Sequence, residues 1–290
     1  MGRGLIMKKI GFIDYFIDEW HANNYPKMIR ESSYKDKFDV VLAWDDVKQE
    51  GRKSIDEWCK EQKVGKAENI EQVVKACDCI VVLSPDNTEE HERLANLPLR
   101  SGKPVYIDKP FAPTLAAAKR LFAKAEKYST PMMSCSALRF GSALENALQN
   151  EIAGEKVNFA AIQGGGDFDT YAIHQIEMLV MLMGAGAQKV MQCGVEAGKL
   201  MLVDYGSGRR ASINLIPGQP FRLSAQYGKD KCIVINEMPD FFPRFIEGML
   251  KFFDTMSPLV PKEQTLEIVA LIEAGTKALD KPDKWVKVGR

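Results

Sequence analysis

Short apolar runs alternate with amphipathic segments along the first half of the chain. The apolar runs predict buried strands over Lys8–Ile13, Asp39–Trp44, Cys79–Leu83, Val105–Ile107 and Pro131–Ser136. The segments between them predict helices over Glu19–Arg30, Ser54–Glu61, Ile70–Ala76 and Leu115–Lys127. A regular alternation of strand and helix favours a Rossmann-like, doubly wound parallel sheet. We therefore expect an α/β domain over residues 1–136.

The pattern changes in the second half, residues 137–290. A predicted helix and strand, Ala143–Glu151 and Val157–Gln163, lead to an apolar helix over His174–Met183. Three or four β segments with glycine-rich, hairpin-like connections follow, at Lys189–Val195, Leu200–Tyr205, Ala211–Ile216 and Arg222–Ile235. The chain ends with two predicted helices and a short strand, at Phe241–Thr255, Lys262–Leu279 and Trp285–Val288. This order predicts an α+β domain with an open, mostly antiparallel sheet.

The second sheet also suggests an assembly. Alternate residues of two of its segments are apolar, namely Met201, Val203, Ile213 and Leu215. If helices cover only the opposite face, these side chains would form an exposed apolar patch in a monomer. The pattern therefore predicts a homodimer through this sheet.

Charge and composition argue against nucleic-acid and membrane partners. Lys plus Arg and Asp plus Glu both number 39 in 290 residues, so no net field attracts a polyanion. No apolar run approaches the ~20 residues of a membrane span. The first residues contain no long apolar region of the kind found in a secretory leader. We expect a cytoplasmic protein that acts on a small molecule.

The six cysteines give no sign of a metal centre. They are scattered, without a Cys-x-x-Cys pair or a neighbouring histidine. Cys77 and Cys79 lead into an apolar strand, where small buried side chains are common. We therefore expect no metal and no disulfide framework.

The segment Ser101–Thr114 contains the most informative candidate chemistry. A short apolar strand, Val105–Ile107, stops at Asp108-Lys109-Pro110, because proline cannot continue a strand ladder. The carboxyl ends of parallel strands form the ligand-binding edge of such a sheet. Lys109 would therefore present a cation or a proton donor to a ligand, with Asp108 beside it.

This segment resembles the Glu-Lys-Pro signature of the Gfo/Idh/MocA family of nicotinamide-dependent oxidoreductases, in a variant with Asp in place of Glu. The likeness extends upstream to Ile80–Pro85 and His91, and downstream to Arg139-Phe140 and His174. It implies NAD or NADP as cofactor and a second domain for substrate binding and dimerisation. It implies hydride transfer to or from a hydroxyl-bearing carbon of a sugar, polyol or related molecule. It also implies a homodimer or a dimer of dimers.

The resemblance places the dinucleotide along the strand ends of the first domain. The residues that would contact it are Gly11, Ile13, Asp14, Phe16, Asp45, Ser84, Pro85, Asp108 and Lys109. Asp45, at the end of the second strand, would bind the adenine ribose and favour NAD over NADP. His91 is expected on a helix surface.

The glycines that usually frame the pyrophosphate are replaced here. Asp14, Phe16 and Glu19 stand at the three positions of the Gly-x-Gly-x-x-Gly pattern. Acidic side chains at this helix start would repel a dinucleotide, although acids also stabilise helix starts by about 0.3–1 kcal/mol. We expect this turn to fill the pyrophosphate position, so that NAD binds weakly.

The family's second motif, Asp-x-Gly-x-His, is also altered. The resemblance assigns proton transfer to Lys109 and His174, whereas Thr170 replaces the motif aspartate and Ala172 the glycine. Threonine cannot accept a proton at neutral pH, so Asp169 is a candidate substitute. Two alternatives to the oxidoreductase remain open. One is a cofactor-free binding or regulatory protein, and the other is a non-redox acid–base enzyme.

Overall fold

A computed structural model describes residues 7–195 and 197–290, so residues 1–6 of the predicted first domain lie outside the described residues. The chain divides into two compact units. The N-terminal unit contains residues 7–112, Ala117–Ser134 and Ile246–Val260. The C-terminal unit contains Pro113–Ala116, Cys135–Phe245 and Pro261–Arg290.

The N-terminal unit is built on a six-stranded parallel sheet. Its strands are β1 (Lys8–Asp14), β2 (Phe38–Asp45), β3 (Gly65–Lys66), β4 (Cys79–Val82), β5 (Val105–Ile107) and β6 (Met132–Met133). Its helices are α1 (Trp20–Glu31), α2 (Ile55–Gln62), α3 (Ile70–Ala76), α4 (His91–Leu94), α5 (Leu115–Lys127) and the later part of α8 (Phe241–Thr255). The strand order 3-2-1-4-5-6 is that of a dinucleotide-binding fold, as the sequence pattern predicts. Strands β4 and β5 are buried along their whole length, which explains why they are uniformly apolar.

The C-terminal unit contains a seven-stranded mixed sheet in the order β12-β11-β7-β10-β9-β8-β13. Its strands are β7 (Val157–Gly164), β8 (Lys189–Val195), β9 (Gly198–Gly206), β10 (Arg209–Leu215), β11 (Arg222–Tyr227), β12 (Lys231–Ile235) and β13 (Val286–Lys287). Its helices are α6 (Ser142–Asn146), which continues as a π-helical turn over Ala147–Ile152, α7 (Phe168–Met183), the start of α8 (Phe241–Thr255) and α9 (Lys262–Leu279). All pairings are antiparallel except that of β7 with β10, which confirms the expected open, mostly antiparallel sheet.

Helix α7 begins earlier than predicted. The sequence suggested a helix over His174–Met183, whereas α7 starts at Phe168. Phe168 is buried and lies against α9, where a Cβ at Gly275 would be 2.3 Å from its ring. Packing of Phe168 stabilises this first turn, which lies before the apolar run on which the prediction rested.

The apolar face proposed for dimerisation is already covered within the chain. Met201, Val203 and Ile213 are buried, as is Leu215. Alternation with period 2 predicts which strand residues share a face of the sheet, but it does not predict which face the helices cover. The patch argument for a homodimer was therefore wrong. No helix among the described residues has the length and hydropathy needed to cross a membrane.

Candidate functional site

Strand β5 ends at a buried acid followed by a half-buried lysine. Asp108 Oδ1 accepts the backbone N–H of Lys109 at 2.8 Å. The Ser134 hydroxyl donates to the Asp108 carbonyl oxygen at 3.4 Å, which ties the end of β5 to the residue after β6. Because the carboxyl ends of parallel strands form the ligand-binding edge, Lys109 is available there on a fixed backbone.

Asp108 is paired with a histidine from the first turn of α1. Nδ1 of His21 lies 2.5 Å from Oδ2 of Asp108, and both side chains are buried. The imidazole stacks on Tyr25, with ring centroids 5.1 Å apart. Burial alone would lower the pKa of His21, but the Asp108 carboxylate outweighs it and the pKa is raised. Burial acts against ionisation of Asp108 too, yet the charge of His21 keeps the pKa of Asp108 below its usual range.

Glu19 is the N-cap residue of α1. Its Oε2 accepts the backbone N–H of His21 at 2.7 Å, and its Oε1 accepts that of Ala22. These amides belong to the group that a helix leaves unpaired at its start. Burial, together with the negative charge of Asp108, raises the pKa of Glu19 to about 7. The start of α1 is therefore already occupied by a carboxyl group of the chain itself.

A third buried acid, Asp14, ends β1. Its Oδ1 accepts the backbone N–H of Tyr15 at 2.7 Å, whereas Oδ2 has no hydrogen-bond partner within residues 7–195 and 197–290. Burial raises the pKa of Asp14 well above its usual range, and the charge of Glu19 raises it further. We call Asp14, Glu19, His21 and Asp108 the acid–histidine cluster.

The C-terminal unit holds its own polar group on α7. Nδ1 of the half-buried His174 lies 2.7 Å from the Ser136 hydroxyl oxygen. The ring of Tyr171 meets the imidazole edge-on, with centroids 5.6 Å apart. One turn further along α7, the buried Glu177 forms an ion pair with Arg139 and accepts the backbone N–H of Ser136 at 3.1 Å. His174 is thus held in a polar setting within this unit.

Comparison with known proteins identifies the N-terminal unit. Residues 16–134 match the family model described as an oxidoreductase family with an NAD-binding Rossmann fold. Over these residues, the chain is similar to the Gfo/Idh/MocA oxidoreductase family. The matched segment includes Asp108 and Lys109, on which the sequence resemblance rested.

The individual proteins that this chain resembles share little sequence identity with it. The uncharacterized oxidoreductase YhhX of Escherichia coli K12 is 26% identical over 133 residues, which are 40% of this chain and 39% of that protein. The chain thus matches about two fifths of the length of this curated relative. A probable dehydrogenase from Thermotoga maritima superposes with a TM-score of 0.79 at 17% identity, covering 97% of this chain and 98% of that one. The scyllo-inositol dehydrogenase of Lactobacillus casei, solved with NAD(H) and scyllo-inositol, gives 0.77 at 14% identity, covering 98% and 99%. Both structures establish the fold.

The predicted cofactor residues in β1, just after it and in β2 make contacts within the N-terminal unit. Gly11 and Ile13 are enclosed in β1, and a Cβ at Gly11 would lie 2.4 Å from Val73 of α3. Phe16 is buried beneath the Arg52 guanidinium, which lies 5.2 Å from its ring centroid. Asp45 is half-buried, and its Oδ2 accepts the backbone N–H of Ile17 at 3.3 Å.

The turn after β4 differs from the sequence expectation at one residue. Ser84 is buried and donates its hydroxyl to the carbonyl oxygen of Asn87 at 3.2 Å, and Pro85 is half-buried. His91, expected on a helix surface, is fully buried, with ring nitrogens 2.8 Å from the Leu83 carbonyl and 3.0 Å from that of Phe111. Burial lowers its pKa. The expectation was wrong because the imidazole forms hydrogen bonds with these two carbonyl groups in the protein interior.

Asp169 and Thr170, the candidate substitutes for the motif aspartate, are exposed in the first turn of α7. Thr170 lies four residues before His174, on the same helical face, whereas Asp169 lies five residues before it. Helix geometry therefore places Thr170 nearer to His174 than Asp169. Asp169 contributes its charge to the start of α7 instead.

A dinucleotide can be tested against these contacts. In Rossmann folds, amides at the first helix start bind the pyrophosphate. Here Glu19 accepts two of these N–H groups, and Asp14 lies nearby as a second buried acid. Among the described residues, the strands end at one sheet edge, as a dinucleotide site requires. A pyrophosphate does not fit the start of α1, however, while Glu19 accepts its backbone N–H groups.

Sequence reasoning missed His21. His21 and Asp108 lie far apart in the sequence, but α1 begins and β5 ends at the same edge of the sheet. The available signal was a histidine in the first turn of the helix that follows the first strand. That turn reaches the same edge as the Asp108-Lys109 pair.

Proposed function

We propose that the protein is a dehydrogenase-like oxidoreductase of small hydroxyl compounds, such as sugars or polyols, with NAD or NADP as hydride acceptor. The observation that carries the proposal is the Asp108-Lys109 pair at the end of β5, in a 3-2-1-4-5-6 sheet that matches an NAD-binding oxidoreductase family. The solved scyllo-inositol dehydrogenase supports the substrate class, since it binds an inositol. Asp45 at the end of β2 supports NAD rather than NADP.

The chain's own residues would supply the proton chemistry. Lys109 is half-buried at the ligand-binding edge and would exchange a proton with the substrate hydroxyl. Asp108 would hold the Lys109 backbone in place through its hydrogen bond to the amide. In the C-terminal unit, the His174 imidazole is a second proton-transfer candidate, oriented by Ser136. Thr170 would position a ligand group near His174 by hydrogen bonding.

The test is direct binding followed by a substrate panel. NADH and NADPH are titrated into the protein and followed by nicotinamide fluorescence, and NAD and NADP are titrated by calorimetry. Inositols, hexoses, hexitols and 2-hydroxy acids are then screened for reduction of the bound nucleotide. Saturable binding and turnover of one hydroxyl class would support the proposal. Absence of nucleotide binding at every pH from about 5 to 9 would overturn it.

A non-redox acid–base function is the second candidate, and the occupation of the α1 start by Glu19 favours it. This function would use Lys109 and His174 without a nicotinamide. It predicts substrate turnover, followed by chromatography, with no change in nicotinamide absorbance. A homodimer stays a prediction of the family resemblance alone, and sedimentation at micromolar concentration would test it.

A further inference from the structure

The start of α1 carries an internal anion where a Rossmann fold usually receives a phosphate. α1 contains 12 residues, so its N-terminal amides form a full helix start. Two of these amides, from His21 and Ala22, donate to the Glu19 carboxylate. The carboxylate therefore makes the type of contact that a pyrophosphate oxygen would make. A phosphate could bind these amides only if Glu19 released them.

The surroundings of Glu19 make this exchange sensitive to charge. Asp14 faces it from the end of β1 and Asp108 from the end of β5, where Lys109 places a positive charge near His21. On α1 itself, Nδ1 of His21 lies 3.8 Å from Glu19 Oε2. Asp14 Oδ2 is buried and has no hydrogen-bond partner within residues 7–195 and 197–290. An incoming pyrophosphate would thus add negative charge beside buried acidic side chains, one of which, Asp14, has a carboxyl oxygen without a hydrogen-bond partner among the described residues.

We infer that Glu19 controls dinucleotide binding at the start of α1, and that a dinucleotide binds there only when Glu19 gains a proton and releases the helix amides. The inference rests on the proposed nucleotide-dependent function. A protonated carboxyl carries no charge to repel the pyrophosphate and is a weaker acceptor for the amides. Because burial raises the pKa of Glu19 to about 7, this proton is available near neutral pH.

The inference predicts proton-linked binding of NAD. Calorimetric titration of the wild-type chain with NAD should show affinity about tenfold higher near pH 6 than near pH 8. Titrations in two buffers with different ionisation enthalpies should show uptake of about one proton per NAD bound near pH 8. Inorganic phosphate, as a fragment of the ligand, should show the same direction of pH dependence in a thermal-shift assay.

Variants identify the residue responsible. Glu19→Gln should bind NAD at pH 8 about as tightly as wild type does at pH 6, without proton uptake. Glu19→Ser, a neutral residue that caps helices well, gives a second variant if the glutamine disturbs α1. Glu31→Gln, the same chemical change at the exposed far end of α1, should behave as wild type.

Three results would contradict the inference, and they separate it from the proposed function. Equal NAD affinity at both pH values, unchanged by Glu19→Gln, would overturn it while leaving a nucleotide-dependent enzyme. A pH dependence that persists in Glu19→Gln but disappears in His21→Asn would assign the proton to His21 instead. Failure of every variant to bind NAD at either pH would overturn both the inference and the proposed cofactor.

Discussion

His21 and Asp108 form a buried ion pair that joins the first turn of α1 to the end of β5, with 2.5 Å between Nδ1 and Oδ2. The motif acid beside Lys109 is therefore held by a histidine rather than directed at a ligand. The same carboxyl group accepts the Lys109 amide, so one side chain fixes both α1 and the lysine backbone. Asp108 thus connects the start of α1 to the segment that follows β5, and both lie at the ligand-binding edge of the sheet.

Breaking this pair should destabilise the fold. His21→Asn or Asp108→Asn removes one partner, and loss of one partner of a buried pair typically costs about 3–5 kcal/mol. Urea unfolding should show this loss in the free energy of unfolding. The double variant should lose less than the sum of the single losses, because neither group is then left without its partner. Additive losses would mean that the two residues contribute independently.

The pair also sets a pH window for this effect. The lowered pKa of Asp108 adds stability above its ordinary pKa of 3.8, and this stability is lost as the pH falls through the folded value. The raised pKa of His21 adds stability below its ordinary pKa of 6.5, and this is lost as the pH rises through the folded value. The difference between wild type and the variants should therefore be largest between these two ordinary values. A difference that keeps growing above pH 8 would contradict the assignment.

Glu19 should make the protein less stable as the pH rises. Its pKa is raised from 4.5 to about 7, so the folded state keeps a proton that the unfolded state releases in this interval. Deprotonation then favours unfolding, and Glu19→Gln removes this contribution. Above pH 7 the variant should exceed wild type in unfolding free energy by on the order of 2 kcal/mol. Glu31→Gln is the control, and no gain of Glu19→Gln over it would refute the prediction.

The sequence predicted the elements and the strand-end positions of Asp45, Ser84 and Lys109, because apolar runs and turn residues are local signals. It did not predict that Glu19 and Asp108 approach the same histidine, because that contact depends on the order of β1 and β5 in the sheet. The burial of His91 was not predicted for the same reason, because the carbonyl groups that contact its ring lie in other segments.

Gly11 should prove to be a packing residue. A Cβ there would lie 2.4 Å from Val73 Cγ1 and 2.9 Å from Cys77 Sγ, so α3 packs directly on β1 at this point. Gly11→Ala should therefore lower the free energy of unfolding by about 1–3 kcal/mol through overpacking. Gly198→Ala, where no atom lies within 4 Å of the added Cβ, is the control. If Gly11→Ala left stability unchanged but weakened NAD binding, its role would be in the cofactor site.

Lys109 should be essential for turnover of whichever substrate the panel identifies. Lys109→Ala removes the proposed proton-transfer group and should lower kcat by about 10²-fold or more. Lys109→Arg keeps the positive charge, but guanidinium does not release a proton in proteins, so its kcat should also fall by at least about tenfold. Lys48→Ala, an exposed lysine of the same unit, should keep wild-type kcat. Circular dichroism and NAD affinity would show that the variants are folded and still bind the cofactor. Near-normal kcat in Lys109→Arg would mean that Lys109 acts as a fixed charge that orients the substrate. The proton would then have to be transferred by another group, and His174 is the next candidate.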